Sequence, residues 1–343
     1  MRARPPKLRD EVVTLAHGAG GKATRALVEG LFVEQLGNDV LEQLADAAVT
    51  EAGGGRIALT TDSYVVTPLV FPGGDIGELA VNGTVNDLAM VGARPLFLTA
   101  GFVVEEGFAV ADLRRIAASM ARAARAAGVM VIAGDTKVVE RGKADGLFIC
   151  TAGLGAVPEG VELGPERVER GDRVLVSGTI GDHGMAVMMA RGGLALEADL
   201  RSDTAAVHEL AASLIGLGDG LRFMRDPTRG GVATALNELA VASGKAVVLD
   251  ERSLPVRPEV AGACEILGID PLYVANEGKL LAIVSARAAD EALVLLRAHE
   301  LGRDAALAGE VRDEPEGMVL LETSVGGSRI VDMLVGDPLP RIC

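Results

Sequence analysis

The chain ends on a cysteine. Its last seven residues read DPLPRIC, so a nucleophilic sulfur, Cys343, stands where a protein is ordinarily most exposed and mobile. The other two cysteines, Cys150 in GLFICTAG and Cys264 in VAGACEIL, lie in apolar runs where a thiol packs as a small hydrophobe. No C-x-x-C pair is present, so neither a disulfide framework nor a zinc site is expected. A second group of reactive residues is acidic and sits among small neighbours: Asp46 in LADAAVT, Asp62 after ALTT, Asp87 in VNGTVNDLAMVGA and Asp135 in IAGDTK. Hard oxygen ligands of this kind suit Mg²⁺, which takes one or two carboxylates and completes its shell with water and phosphate oxygens. Each aspartate alone would serve equally as a cap or turn former. Together, in one half of the chain, they point to a metal–nucleotide site.

Glycine-rich turns supply the matching anion sites. HGAGGKAT (17–24) is a glycine turn opening a helix, with Lys22 where a phosphate-contacting cation would sit. It is not a Walker A loop, because Ala16 stands six positions before the lysine and Ala23 follows it. RDPTRGGVATALNELA places Asp226 and a double glycine at another helix start, where backbone N–H groups favour anions. In VANEGKL, Glu277 stands just ahead of a strand, a rigid place for a general base. His17, His183, His208 and His299 are too dispersed for a zinc motif, and His183 is a weak candidate for touching substrate.

The elements that must position these groups alternate along the chain. RIALTT (56–61), PLFLTAGFVV (95–104), VMVIAG (129–134) and GLFICTAGLGAV (146–157) read as strands, and 75–93 and 111–128 carry helical spacing, with Asp75 and Asp112 as candidate caps. Polar, turn-rich 158–172 marks a boundary. Beyond it come strands 173–178, 246–250, 279–285 and 318–323, and helices from Asp182, over 203–216 and over 231–244. The expected fold class is α+β: two mixed α/β domains, 1–160 for ATP, Mg²⁺ and dimerisation and 161–330 behind it, then a mobile tail, 331–343; the whole stretch SVGGSRIVDMLVGDPLPRIC after the last strand alternates glycine and proline and is expected to form no element. Extended, its last seven residues span about 20–25 Å, and two prolines keep them stiff.

Composition bounds the partners. Net charge is −15, which repels nucleic acid and anionic lipid, and any polyphosphate must be met by local lysines or a divalent cation. No apolar run approaches the roughly 20 residues of a membrane span, and the charged N-terminus lacks a hydrophobic stretch behind it, so a cytoplasmic protein is expected. Aromatic residues are only 3%, so the core must be aliphatic.

Taken in order, HGAGGK, LADAA, TTDS, VNGTVNDLAMVGARP, AGDTKVV, SGTIGDHGMAV, RDPTRGGVATALNE, ANEGK and the final PRIC resemble the HypE family of hydrogenase maturation factors, from about residue 12 to the end. The family belongs with aminoimidazole ribonucleotide synthetase, selenophosphate synthetase and thiamine-monophosphate kinase, two-domain ATP-binding proteins that are typically homodimers. The resemblance implies that Asp46, Asp62 and Asp87 hold Mg²⁺ on the triphosphate. It implies that Lys22, Asn86, Asp135, Asp226 and Asn276 are nucleotide-site residues, and that Glu277 and Lys137 handle protons near Cys343. It further implies that a HypF-type carbamoyltransferase loads Cys343 with a carbamoyl group, that ATP-dependent dehydration turns this into a thiocyanate, and that the cyano group passes to iron in a HypC–HypD complex.

The chemistry is consistent with that assignment. An amide oxygen leaves as phosphate far more readily than as hydroxide; phosphoryl transfer needs positioning and charge neutralisation, and a base must then stand within about 3 Å of the nitrogen. Water must be excluded, so the tip has to enter a closed site and come out again for loading. Two alternatives remain: a kinase of the same superfamily acting on a free small molecule, and a thiol arm that only carries. Selenophosphate synthetase places a reactive cysteine or selenocysteine near its Gly-Lys segment, where this chain reads TLAHGAGGK. If the tip enters a closed pocket, a few residues appended after Cys343 should abolish cyanide-ligand formation, measured as matured hydrogenase activity in a host lacking its own copy.

Overall fold

The computed structural model describes residues 8, 10–192, 199–336, 339 and 341–343; Asp337, Pro338 and Pro340 of the terminal segment, and the N-terminal charges before Leu8, lie outside the described residues. The first half opens with one helical stretch, α1 (Lys22–Leu27) and α2 (Glu34–Leu36) joined by a π-helical turn over Val28–Val33. Then follow β1 (Ala48–Ala52), β2 (Gly55–Tyr64), β3 (Val70–Phe71), β4 (Gly74–Asp75), α3 (Ile76–Met90), β5 (Arg94–Glu105), α4 (Val110–Ala126), β6 (Met130–Val139) and β7 (Leu147–Val157). Five strands form one sheet in the order β1-β2-β7-β5-β6, antiparallel except for the β5–β6 pair.

Period-two alternation gives this sheet two unlike faces. Ala58, Thr60, Asp62 and Tyr64 of β2 face α3, where Thr60 Oγ donates to Asp87 Oδ2 at 2.7 Å and the Tyr64 hydroxyl meets Thr84 Oγ at 3.4 Å. Leu59, Thr61 and Ser63 on the other face are exposed. Helix α3 is buried all round except at Glu78 and Asp87, so Asp87 is one of only two of its side chains with access to solvent. Its glycines permit this: a Cβ on Gly83 would overlap the Tyr64 hydroxyl, and one on Gly77 would come within 2.5 Å of Ile116 O in α4. Strand β6 is the far edge, exposed along nearly its whole length, with Met130, Ile132 and Val138 each at least 60% accessible.

The second half contains β8 (Arg173–Val176), α5 (Asp182–Ala190), α6 (His208–Ile215), β9 (Leu221–Arg225), α7 (Gly231–Ser243), β10 (Ala246–Asp250), α8 (Pro258–Leu267), β11 (Leu281–Val284), α9 (Ala289–Ala298), β12 (Ala306–Arg312), β13 (Val319–Glu322) and β14 (Ser328–Ile330). Its sheet runs β14-β13-β10-β12-β8-β11-β9. The core does not respect the boundary between the halves. Met185 of α5, Val260 and Cys264 of α8, and Leu339 and Ile342 of the tail belong to the same buried cluster as Tyr64, Leu79 and Ile116. No helix among the described residues is long and apolar enough to cross a membrane.

Four local expectations change. Asp75 caps α3 as expected, accepting from Gly77 N and Glu78 N, but α4 begins at Val110 without a side-chain cap, and Asp112 lies in its first turn paired with Arg115. The helix expected over 203–216 begins only at His208, because the backbone of 202–207 is committed to other partners. SVGGSRI is not featureless: Gly326 and Gly327, at φ +92° and +87°, turn the chain so that β14 pairs with β13. Cys150 is exposed, not packed, because its register with Ser63 and Gly101 puts it on the uncovered face of the first sheet.

Asp75→Ala should lower stability by about 1–2 kcal/mol, since it removes the α3 cap and the acceptor of the Ser119 hydroxyl; Asp75→Asn should keep most of it, read as denaturant midpoints at unchanged m.

Candidate active site

Three carboxylates converge where the two sheets meet. Asp46 enters from the segment before β1, Asp87 from α3 and Asp226 from the residue after β9, and one oxygen of each lies within 4.8 Å of the others. Thr60 Oγ ties this group to β2, lying 3.0 Å from Asp46 O and 2.7 Å from Asp87 Oδ2. Arg225 braces it from behind, with Nε 2.8 Å from Asp46 Oδ1 and a terminal nitrogen 2.6 Å from Glu238. Burial pushes the Asp46 carboxyl up to about 6, against the pull of Arg225 and with the push of Glu238. Burial, then the charges of Asp226, Asp46 and Asp62, holds Asp87 well above the usual carboxylate range; burial and Asp46 do the same to Asp226. Three hard oxygens in mutual repulsion make a strong donor set for one divalent cation, which would relieve that repulsion. The close triad therefore pairs Asp46 and Asp87 with Asp226, which the motifs had assigned to nucleotide. Asp62, expected among the metal ligands, stands one strand repeat beyond Thr60 on the same face of β2, where its charge acts both on Asp87 and Asp226 and on Cys343.

The tip of the tail lies among Glu277, Asp62 and Arg229, and Asp226 of the triad acts on the same Glu277. Val65 N donates to Cys343 O at 3.1 Å and Thr67 N to Arg341 O at 3.2 Å, so the final residues run alongside the chain leaving β2. Ile342 is buried in the first core cluster, and Arg341 pairs with Asp145. Burial drives the Cys343 thiol far above its ordinary range; Arg229 pulls it down, and Glu277 and Asp62 push it up. Glu277, 3% accessible, is itself raised by burial and by Asp226, Asp62 and Asp203, and its Oε1 has no hydrogen-bond partner among the described residues. An enclosed carboxyl with a spare oxygen, next to a sulfur, is equipped to exchange a proton with whatever that sulfur carries. A cavity of about 200 Å³ opens beside the tip, lined by Gly18, Ala19, Val65, Arg229, Tyr273 and Cys343 among others.

The glycine turn closes this region from one side. Gly20, at φ +79°, carries no Cβ to strike Arg229 O, which would lie 2.7 Å away, and Gly21 fits against Leu334 O only for the same reason. Lys22 starts α1; its backbone N–H donates to Leu334 O at 3.0 Å and its ammonium pairs with Asp332, leaving the side chain about half exposed. The two asparagines expected at the nucleotide are occupied by backbone. Asn86 donates to Ala205 O and Glu277 O and accepts from Val207 N; Asn276 accepts from Gly181 N and donates to Pro227 O and Val274 O. Buried amides with both N–H groups given to backbone carbonyls hold loops in place and offer a ligand no donor. Asp135 and Lys137 are not brought to the tip within this chain. They pair with each other at 2.5 Å on exposed β6, in register with Gly101 and Val103, three strands across the sheet from β2 and on its opposite face. Sequence reasoning missed Arg225 and Arg229, although both flank Asp226 in RDPTRGG, and Asp203, whose surroundings RSDTAAV carry no signal.

Known proteins resemble this chain along its whole length. Residues 44–157 match the family model of the AIR synthase related protein N-terminal domain, and 169–322 match its C-terminal domain. Carbamoyl dehydratase HypE of Bradyrhizobium diazoefficiens is 56% identical over 346 aligned positions that cover 100% of both chains. The structure of a HypE–HypF complex contains a chain of 50% identity that superposes with a TM-score of 0.86, covering 90% of this chain and 100% of that one. HypE in complex with ATP has 44% identity and a TM-score of 0.81, covering 97% and 100%. With such likeness along its whole length, the chain belongs to the carbamoyl dehydratase HypE family, within the AIR synthase related proteins.

Proposed function

We propose that this protein is an ATP-dependent carbamoyl dehydratase that converts S-carbamoyl-Cys343 to S-cyanato-Cys343 and so supplies cyanide for hydrogenase maturation. The observation that carries the reading is the terminal sulfur seated beside the enclosed carboxyl of Glu277, whose Oε1 has no hydrogen-bond partner among the described residues and which lies in the field of Asp226, a member of an acidic triad suited to a cation–nucleotide complex. The balance is simple. The carbamoyl oxygen takes the γ-phosphoryl group of ATP, releasing ADP; the nitrogen then loses its protons as the C–O bond breaks, phosphate departs and a C≡N triple bond remains on sulfur. We assign Mg²⁺ to Asp46, Asp87 and Asp226, with Asp62 close by; bound there, it supplies charge neutralisation for the triphosphate. Glu277 takes the proton from nitrogen, and burial with the charges of Asp226, Asp62 and Asp203 gives it a higher proton affinity than an ordinary carboxylate. Arg229, under the charges of Cys343, Asp62 and Glu277, holds the field near the sulfur in balance.

The remaining assignments belong to the same proposal. Residues 1–160, 161–330 and 331–343 act as nucleotide domain, supporting domain and arm. A HypF-type protein loads the thiol and a HypC–HypD complex receives the cyano group, in the cytoplasm, where a terminal thiol stays reduced. A homodimer through β6 is supported by that strand's free edge and its exposed Met130, Ile132 and Val138. Such pairing would carry Asp135 and Lys137 to a second copy, which is the route we propose for Lys137 to a site it does not reach in its own chain.

Two outcomes are expected. Glu277→Gln, loaded with carbamoyl phosphate and the carbamoyltransferase, should bind ATP but keep the carbamoyl mass on its C-terminal peptide, slowed at least 100-fold in losing one water; wild-type conversion at the same rate would defeat the reading. Docking, for its part, should be full below about pH 8.5, the range of a free thiol, and weaken above it, because the docked thiol resists ionisation. Alkylation of Cys343 followed against pH should therefore reach half its plateau above that of the same C-terminal peptide in isolation, and Glu277→Gln should move the midpoint down.

A further inference from the structure

The reaction needs sulfur and base in fixed register, yet they arrive on separate parts of the chain: Cys343 on the tail and Glu277 on the segment before β11. Two adjacent residues, Ser202 and Asp203, touch the supports of both. Ser202 is anchored to the first half by its N–H, which donates to Pro72 O at 2.7 Å. Its Oγ accepts from Thr204 N at 3.1 Å and lies 2.7 Å from His183 Nδ1, while His183 Nε2 lies 2.8 Å from the main-chain oxygen of Ile342, the residue before the terminal cysteine. A carbonyl can only accept, so Nε2 carries the hydrogen, and in the neutral ring Nδ1 accepts from the Ser202 hydroxyl. His183 is fully buried on α5, its ring edge-on to Phe71 with centroids 5.5 Å apart. Both ring nitrogens are thus committed, and the imidazole has one orientation.

The next residue turns the other way. Asp203 Oδ1 accepts from Glu277 N at 3.2 Å, and Oδ2 lies 3.1 Å from the Lys279 ammonium, both side chains at most 10% accessible. Gly278 between them allows this approach, because a Cβ there would overlap Asp203 O. Asn86 of α3 closes the loop by donating to Ala205 O and to Glu277 O.

We propose that Ser202–Asp203 is a registration element, with His183 as the latch that reads the tail's penultimate carbonyl and Asp203 as the clamp that sets the backbone of Glu277. None of the three touches the reacting group; they are positioning residues, and their assignment rests on the dehydratase reading above. Errors of about 1 Å between reactants can cost about 100-fold in rate, so coupling both supports through one dipeptide guards the geometry that matters.

The test uses the full-length protein with ATP, following iodoacetamide alkylation of Cys343 on its C-terminal peptide and single-turnover loss of water from the carbamoylated form. His183→Ala should speed alkylation about two- to tenfold, the value of one hydrogen bond, and slow dehydration, with ATP affinity unchanged. His183→Gln, whose amide N–H takes the place of Nε2, should restore shielding of the thiol. Asp203→Ala should slow dehydration while leaving alkylation as in the wild type, and Asp203→Asn, which keeps an acceptor for Glu277 N, should recover most of the rate. Wild-type shielding in His183→Ala, or no rescue by glutamine, would overturn the latch; equal dehydration rates in Asp203→Ala and the wild type would overturn the clamp. Shielding reports the tail's docking without any turnover, so a wild-type protein that never loses water would count against the dehydratase reading alone.

Discussion

Everything near the tail tip depends on buried like charge. Asp46, Asp87 and Asp226 are crowded together, Asp62 and Glu277 stand within range of their field, and each raises the proton affinity of its neighbours. Repulsion of this kind costs stability unless something neutralises it, and among the described residues Arg225 and Arg229 act against it. Arg225 restrains the acids from behind and Arg229 from the sulfur side, and the three carboxylates still leave more negative than positive charge among themselves. A cluster held together against its own repulsion gains binding strength for a cation at the expense of the empty fold.

The same field selects the state of the sulfur. A thiolate brought beside Glu277 and Asp62 would add another negative charge to a desolvated pocket, whereas a thiol or a neutral sulfur derivative adds none. The nucleophilic form belongs outside and the uncharged form inside. Loading and processing are then separated by electrostatics as well as by space. Arg341, which carries charge close to the tip, is paired with Asp145 and so does not offset the pocket's sign.

Much of the framework was legible in the residues. The alternating strands, the capped helix at Asp75 and the acids at element ends stood in the sequence because hydrophobic period, cap chemistry and small neighbours are local properties. Which acids would meet was not local. Asp226 joins Asp46 and Asp87 because β9 is the edge strand of the second sheet and its end abuts α3, a fact of topology that spacing does not encode. Asn86 and Asn276 look like ligand-binding amides in their motifs, but their surroundings are loops with backbone groups to satisfy, and those groups claimed them first. Asp203 was invisible for the opposite reason: it lies in an unpatterned stretch and gains its importance only from the glycine it faces across the fold. Cys150 misled because an apolar neighbourhood says nothing about which side of a sheet a residue takes.

The acceptor of the proposed reaction, Cys343, is part of the same chain as the pocket that acts on it. In the proposed reaction no substrate has to be found by diffusion: once charged, the molecule presents its reactant to its own pocket at a local concentration fixed by tether length, and dilution leaves the step untouched. Rate can saturate in nucleotide but has no second saturable reactant, and each polypeptide delivers one cyano group per loading. Output per cell is then set by how many copies exist and how fast each is emptied and refilled, which makes the hand-over steps, more than the chemistry, the natural point of control.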